Sequence, residues 1–150
     1  MFSIHCNLFS IKLRGNKMSE SAQHQKLVKL IIEETLNTVG IDHECFIQTD
    51  LPDQYSLPEL TQEGYRPDVF FRGGELMIIG EAKTSPDVLS AHSLRQYESY
   101  IRKCSLFVGE AELIVAVPMM DKPSIYNALQ KIKKKYPGHY TIKIIEGIGV

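Results

Sequence analysis

Residues 66–83 of the chain read Arg66-Pro67-Asp68-Val69-Phe70-Phe71-Arg72-Gly73-Gly74-Glu75-Leu76-Met77-Ile78-Ile79-Gly80-Glu81-Ala82-Lys83, and this stretch decides the fold. Val69-Phe70-Phe71 is a strand run, Gly73-Gly74 is a two-residue turn signal, and Leu76-Met77-Ile78-Ile79 is the returning strand, so the spacing predicts a β-hairpin. With Gly73 and Gly74 in the turn, Arg72 faces Glu75, Phe70 faces Met77 and Asp68 faces Ile79. Side chains alternate faces along a strand with a period of two. Asp68, Ile79, Glu81 and Lys83 therefore share a face, which gathers two carboxylates and an ammonium at one end of a sheet.

Charges at the end of a buried strand are expensive unless they are paired or bind something. Glu81-Ala82-Lys83 is the single acid-x-Lys triplet in the chain, and it closes an apolar strand. Pro-Asp occurs three times, at Pro52-Asp53, Pro67-Asp68 and Pro86-Asp87, so that dipeptide carries weight only through its place in the hairpin. The competing reading of the same residues is a surface salt-bridge cluster. The functional reading is a divalent cation held by the two carboxylates beside a phosphate.

Pro67-Asp68 followed by Glu81-Ala82-Lys83 resembles the signature of the PD-(D/E)xK nuclease superfamily, which has the restriction-endonuclease and Holliday-junction-resolvase fold. The similarity extends to Gln96, on a helix that follows the motif lysine, and spans residues 18–145. The resemblance implies an α/β domain with a restriction-endonuclease-like αβββαβ core, a mixed central sheet and flanking helices. It implies metal-dependent hydrolysis of phosphodiester bonds, in DNA rather than RNA, with Mg²⁺ as cofactor and Mn²⁺ as a substitute. Asp68 and Glu81 would hold the metal, and Lys83 would orient the attacking water or neutralise the charge that grows on the phosphate. Many members carry a metal-proximal Glu in the first helix. Here that region offers His24 and Gln25, with Glu20 one turn earlier and Glu33-Glu34 later.

Gln96 admits two roles. As a site residue it hydrogen-bonds Lys83, the nucleophilic water or a phosphate. Alternatively it closes a capping box with Ser93, a role excluded if the helix begins near Ser90. Tyr97 and Tyr100 read as packing residues whose hydroxyls can reach a site. Arg95, Ser99 and Arg102 fall on one face of the same helix and are candidate phosphate ligands. Arg66 and Arg72 flank the motif strand. Lys131, Lys133, Lys134 and Lys135 form either a nucleic-acid patch or a solvated helix end that suits the helix dipole.

The elements around the hairpin follow from periodicity. Ser19 or Ser21 can cap a helix that runs to Val39, with Gly40 as its stop and Leu27, Val28, Ile31, Ile32, Leu36 and Val39 as its stripe. Glu44 to Thr49 predicts a first strand, and residues 50–65 a long loop of functional kind. A second helix covers 91–103, with Leu94, Tyr97, Ile101 and Cys104 facing inward. Leu113 to Val117 predicts a strand covered on both sides. Pro123 opens a third helix that buries Ile125, Leu129, Ile132 and Tyr136. Tyr140, Ile142 and Ile144 alternate with polar residues in a half-exposed last strand.

At 150 residues the chain predicts one domain, 18–150, preceded by a disordered extension at 1–17. That extension has its basic residues, Lys12 and Arg14, after its apolar stretch, the wrong order for a secretory signal. A net charge of −1 excludes a global basic field, so nucleic-acid binding must rest on a local patch. Cys6, Cys45 and Cys104 are widely spaced, which argues against a zinc site or disulfide framework and suits a cytoplasmic protein. No apolar run reaches the ~20 residues of a membrane span. A homodimer or partner subunit is compatible with this size and charge, as is a non-catalytic nucleic-acid-binding or assembly module that retains the nuclease fold.

Overall fold

The computed structural model describes residues 22–51 and 56–148. Helix α1 (Ala22–Val39) leads, followed by strands β1 (Gln48–Thr49), β2 (Val69–Gly73) and β3 (Leu76–Ala82). Helix α2 (Ala91–Leu106), strand β4 (Glu110–Pro118), helix α3 (Lys122–Lys133) and strand β5 (Tyr140–Gly147) complete the order. The strands form one mixed five-stranded sheet in the order β1-β2-β3-β4-β5. The β1, β2 and β3 strands pair antiparallel, while β3, β4 and β5 run parallel, joined through α2 and then α3. An α/β class with helices on both faces of a mixed sheet is thus observed. Among the described residues no helix is long and apolar enough to cross a membrane.

Strand alternation decides which side chains meet which helix. Val69, Phe71, Ile78, Ala82, Ile114 and Ala116 pack against Leu27, Val28, Ile31 and Ile32 of α1. The opposite parity, Phe70, Met77, Ile79, Leu113, Val115 and Val117, packs against α2 and α3 through Tyr97, Tyr100, Ile101, Ile125 and Leu129. Leu113 to Val117 is wholly buried, as predicted for a strand covered on both faces. Thr35 is the polar member of the α1 stripe, and its hydroxyl donates to the Ile31 carbonyl at 2.8 Å.

Several predicted details change. The hairpin turn is Gly74-Glu75, not Gly73-Gly74, because Gly74 alone of the two has a positive φ, of 60°. The register becomes Gly73↔Leu76, Arg72↔Met77, Phe70↔Ile79 and Val69↔Gly80. One further step places Asp68 opposite Glu81 rather than Ile79. The slip is two residues, so face assignments survive while neighbours change. The strand expected at 44–49 is a 3₁₀ turn at Ile41–Phe46 followed by a strand of two residues, Gln48–Thr49. Gly40, at φ 87°, stops α1 as expected, but the chain then coils tightly before it extends. Helix α2 runs on to Leu106, and β5 to Gly147. Pro123 does sit in the first turn of α3, whereas Tyr136 lies beyond its end, half-buried. The expected caps Ser19 and Ser21, Glu20 and the extension 1–17 lie outside the described residues.

Gly80 sets the distance between α1 and the sheet. A Cβ there would come within 2.4 Å of Ile31 Cγ2 and 3.0 Å of Val69 Cβ. Gly80→Ala should therefore destabilise the protein by about 1–3 kcal/mol, the range for overpacking a core, read as a lower urea midpoint at unchanged slope.

Candidate active site

The site grows from the corrected register. Asp68 immediately precedes β2, and Glu81 lies one residue from the end of β3, on the face of the sheet that α2 covers. Asp68 is 6% exposed and Glu81 2%. Glu81 stands on the central strand, beside Val115 of β4 and beneath Tyr97 and Tyr100 of α2, so apolar and aromatic groups replace its water. Burial first, and the Asp68 carboxylate second, raise the Glu81 carboxyl from 4.5 to about 8; Lys83 opposes them.

Each carboxylate is held differently. Asp68 Oδ2 accepts the Ala82 backbone N–H at 2.8 Å, which locks the Asp68 side chain onto β3. The same oxygen lies 3.2 Å from His24 Nε2, so His24, in the first turn of α1, reaches over the end of the sheet. Glu81 Oε1 is 2.8 Å from Lys83 Nζ. Glu81 Oε2 is buried without a hydrogen-bond partner among the described residues. The Tyr100 hydroxyl, also buried, is near enough to Glu81 to lower the carboxyl's pKa yet outside hydrogen-bond geometry. Tyr100 and Tyr97 are themselves pushed well up, chiefly by burial and then by the Glu81 charge. Tyr97 is satisfied by donating to the Val88 carbonyl at 2.8 Å.

Lys83 continues from β3, and its N–H donates to the Ala116 carbonyl at 3.0 Å, tying it to β4. Its ammonium donates to Gln96 Oε1 at 2.5 Å. Ser90 caps α2 by accepting the Ser93 N–H at 3.1 Å. With the helix starting there, the capping role for Gln96 is excluded and its amide faces Lys83. Asp68, Glu81, Lys83 and Gln96 thus meet at one end of the sheet, joined by His24.

The proposed phosphate ligands on α2 do not join them. Ser99 is buried, with its hydroxyl 2.7 Å from both Thr61 Oγ1 and Glu63 Oε2. Arg102 pairs with Glu63 at 2.7 Å, while Arg95 is exposed. The 56–66 loop therefore runs along α2 and takes up these polar groups. Arg66 donates to the Pro58 carbonyl within that loop. Glu34 pairs with Lys143 of β5, away from the carboxylates. Lys135, the last residue of the basic cluster at the end of α3, lies 3.7 Å from Glu98. His92 stacks edge-on against Tyr65, ring centroids 5.7 Å apart.

The Glu81 shift has a signed consequence. Between pH 4.5 and about 8 the folded protein holds a proton on Glu81 that the unfolded chain has released. Stability of the metal-free protein should fall as pH rises through that window, by at most ~1.4 kcal/mol per pH unit. Urea unfolding at pH 5, 6.5 and 8 should show this slope in the wild type and its loss in Glu81→Gln, which should be the more stable protein at pH 8.

No protein-family model, curated protein or solved structure matches this chain, so the site's own geometry carries its chemical reading.

Proposed function

We propose that the protein is a metal-dependent nuclease of the PD-(D/E)xK type, with a restriction-endonuclease-like core, that hydrolyses phosphodiester bonds in DNA. The observation that carries this reading is the buried pair Asp68 and Glu81, opposed across a hairpin, with Glu81 Oε2 left without a partner. A purely structural ion pair satisfies both oxygens of a buried carboxylate, because each unmatched polar atom costs about 1–3 kcal/mol. Crowded carboxylates with an open oxygen suit a hard cation with oxygen ligands.

Among the described residues no three His, Cys, Asp or Glu side chains converge to hold a metal alone. Mg²⁺ fits this, because it keeps several waters and takes one or two carboxylates plus substrate oxygens. Asp68 and Glu81 would hold it. When bound, it would lower the pKa of a water and offset charge on the phosphate oxygens.

The chain's own groups supply the rest. Asp68, fixed by the Ala82 N–H, is preorganised as a ligand. Glu81 accepts from Lys83, and to hold a cation it would give up its proton. Lys83, held between Glu81 and Gln96, presents its one remaining ammonium proton to the attacking water or a phosphate oxygen. Gln96, with its carbonyl engaged by Lys83, keeps an amide N–H₂ to donate to the same oxygens. The water oxygen forms a bond to phosphorus as the bond to one sugar oxygen breaks; the attacking water gives a proton to bulk water and the leaving oxygen takes one from it, which leaves a phosphomonoester and an alcohol.

A second reading is a non-catalytic nucleic-acid-binding module. It is favoured by the near-complete burial of the pair and by Lys83 already satisfied by two neighbours.

Purified protein incubated with plasmid, single-stranded DNA and a four-way junction, in Mg²⁺, Mn²⁺ or EDTA, separates the two. The nuclease reading expects cleavage that needs metal and falls by at least ~100-fold in Asp68→Ala and in Lys83→Ala. It also expects Mg²⁺ to raise the melting temperature of the wild type at pH 8 and not that of Asp68→Ala, since a ligand at 100 times its Kd adds ~2.7 kcal/mol. Binding without cleavage by wild type in every metal would establish the binding module.

A further inference from the structure

The hairpin that carries Asp68 carries a cation at its other end. Asp68, Phe70 and Arg72 share the α2 face of β2, opposite Glu81, Ile79 and Met77 of β3. Four residues of extended chain separate Arg72 from Asp68, which is about 13 Å at ~3.3 Å per residue. At that end lies a cavity of about 270 Å³, lined by Arg72, Met77, Phe107, Glu63, Arg102 and Lys103.

Its charges are unequal. Arg102 pairs with Glu63 at 2.7 Å and Lys103 with Glu59 at 2.7 Å. Arg72 has no carboxylate partner among the described residues; its guanidinium lies 5.3 Å from the Phe107 ring centroid. Three cations against two carboxylates leave a local excess on a chain whose net charge is −1. Burial pushes the Glu63 carboxyl up, but the Ser99 hydroxyl and the Arg102 guanidinium outweigh it and hold it below its ordinary value. An oxyanion is therefore already seated among donors here. The apolar side is Met77 and the half-buried Phe107, whose ring the Arg72 guanidinium overlies, which holds that cation at the pocket.

We propose that Arg72, Arg102 and Lys103 form a second phosphate-binding pocket that holds the nucleic-acid strand a few nucleotides from the bond being cut, ~13 Å away along the hairpin. Glu63 occupies part of that pocket until a phosphate displaces it. The distance to the cut rests on the nuclease reading, whereas the pocket itself does not. The hairpin then acts as a ruler, with metal ligands at one end and a backbone clamp at the other. Arginine suits the clamp because its planar fork grips two phosphate oxygens at once.

The test is a strand-length series. The full chain, with the hard cation Ca²⁺ in place of Mg²⁺ so that the carboxylate end can hold a phosphate and with cleavage followed on the same samples, is titrated with 3′-labelled oligothymidylates of two to twelve nucleotides by fluorescence anisotropy. Wild type should show a step in affinity once the strand is long enough to span the ~13 Å between Asp68 and Arg72. Arg72→Gln should remove that step and weaken twelve-nucleotide binding about tenfold, the worth of one charge-assisted hydrogen bond. The slope of log affinity against log salt should fall by ~0.7. Glu63→Gln should tighten long strands severalfold and leave dinucleotides unchanged. Both side chains are exposed, so the variants should keep the wild-type circular dichroism spectrum.

An unchanged step in Arg72→Gln, or equal weakening at every length, overturns the pocket. Inorganic phosphate that competes as well as a dodecamer would make it a small-anion site and overturn the polynucleotide assignment. A length step that Arg72→Gln abolishes, in a protein that cuts nothing in any metal, would retain the pocket and discard the nuclease.

Discussion

Two carboxylates are forced together inside the protein by backbone pairing, and most of what is unusual in the structure answers to that constraint. Strand β3 is central, so the water that would stabilise ionised Glu81 is replaced by Val115, Tyr97 and Tyr100. Asp68 adds charge of the same sign. The protein responds with the Ala82 N–H and His24 on Asp68, and with Lys83 on Glu81, itself steadied by Gln96. Glu81 Oε2 remains unmatched among the described residues. An arrangement of this kind persists when the groups have a ligand to meet, since a hydrophobic replacement would pack as well without the electrostatic penalty.

The supporting scaffold shows how α/β packing delivers such a cluster. Lys83 is anchored to β4 through its backbone, Gln96 is aimed by a helix whose first turn Ser90 caps, and His24 arrives on a helix that Gly80 allows to lie close against the sheet. Four elements distant in sequence converge where the parallel strands end. Ligand sites in open α/β sheets commonly occupy that position, because the connections there leave room that the strand interiors do not.

The parity of the hairpin was legible because alternation survives a two-residue slip, so Asp68, Glu81 and Lys83 could be placed on one face before their partners were known. The partners were not legible. Gly73-Gly74 and Gly74-Glu75 are both plausible turns, and the backbone of Gly74 decides between them. The apolar run Cys45-Phe46-Ile47 suggested a strand, whereas the tight coil after Gly40 uses those positions as 3₁₀ turn. His24 stands where an acid was sought and, like His92, could be read as lining the cleft; its place at the start of α1, one turn before the Leu27 stripe, was the available signal. The contacts of Ser99 with Thr61 and Glu63 join residues 38 and 36 apart, respectively. Loop-to-helix contacts of that range leave no periodic trace, so the polar face of α2 looked open when the 56–66 segment in fact covers it.

Strand β5 ends the described sheet and presents a row of backbone donors and acceptors with no neighbouring strand on its outer side among the described residues. At eight residues, with Ile142, Ile144 and Ile145 half-buried, it has the length and character that invite another chain to add itself edge to edge. The ionised residues within it oppose this. Lys143 and Glu146 are tethered to Glu34 of α1 and Lys122 of α3, which keeps charge fixed along the border. At the other border, β1 is only two residues long, too short to template a partner. These two ion pairs, unremarkable as sources of stability, therefore act as guards of solubility. Their loss would first show as self-association on standing or mild heating, long before the fold itself gave way.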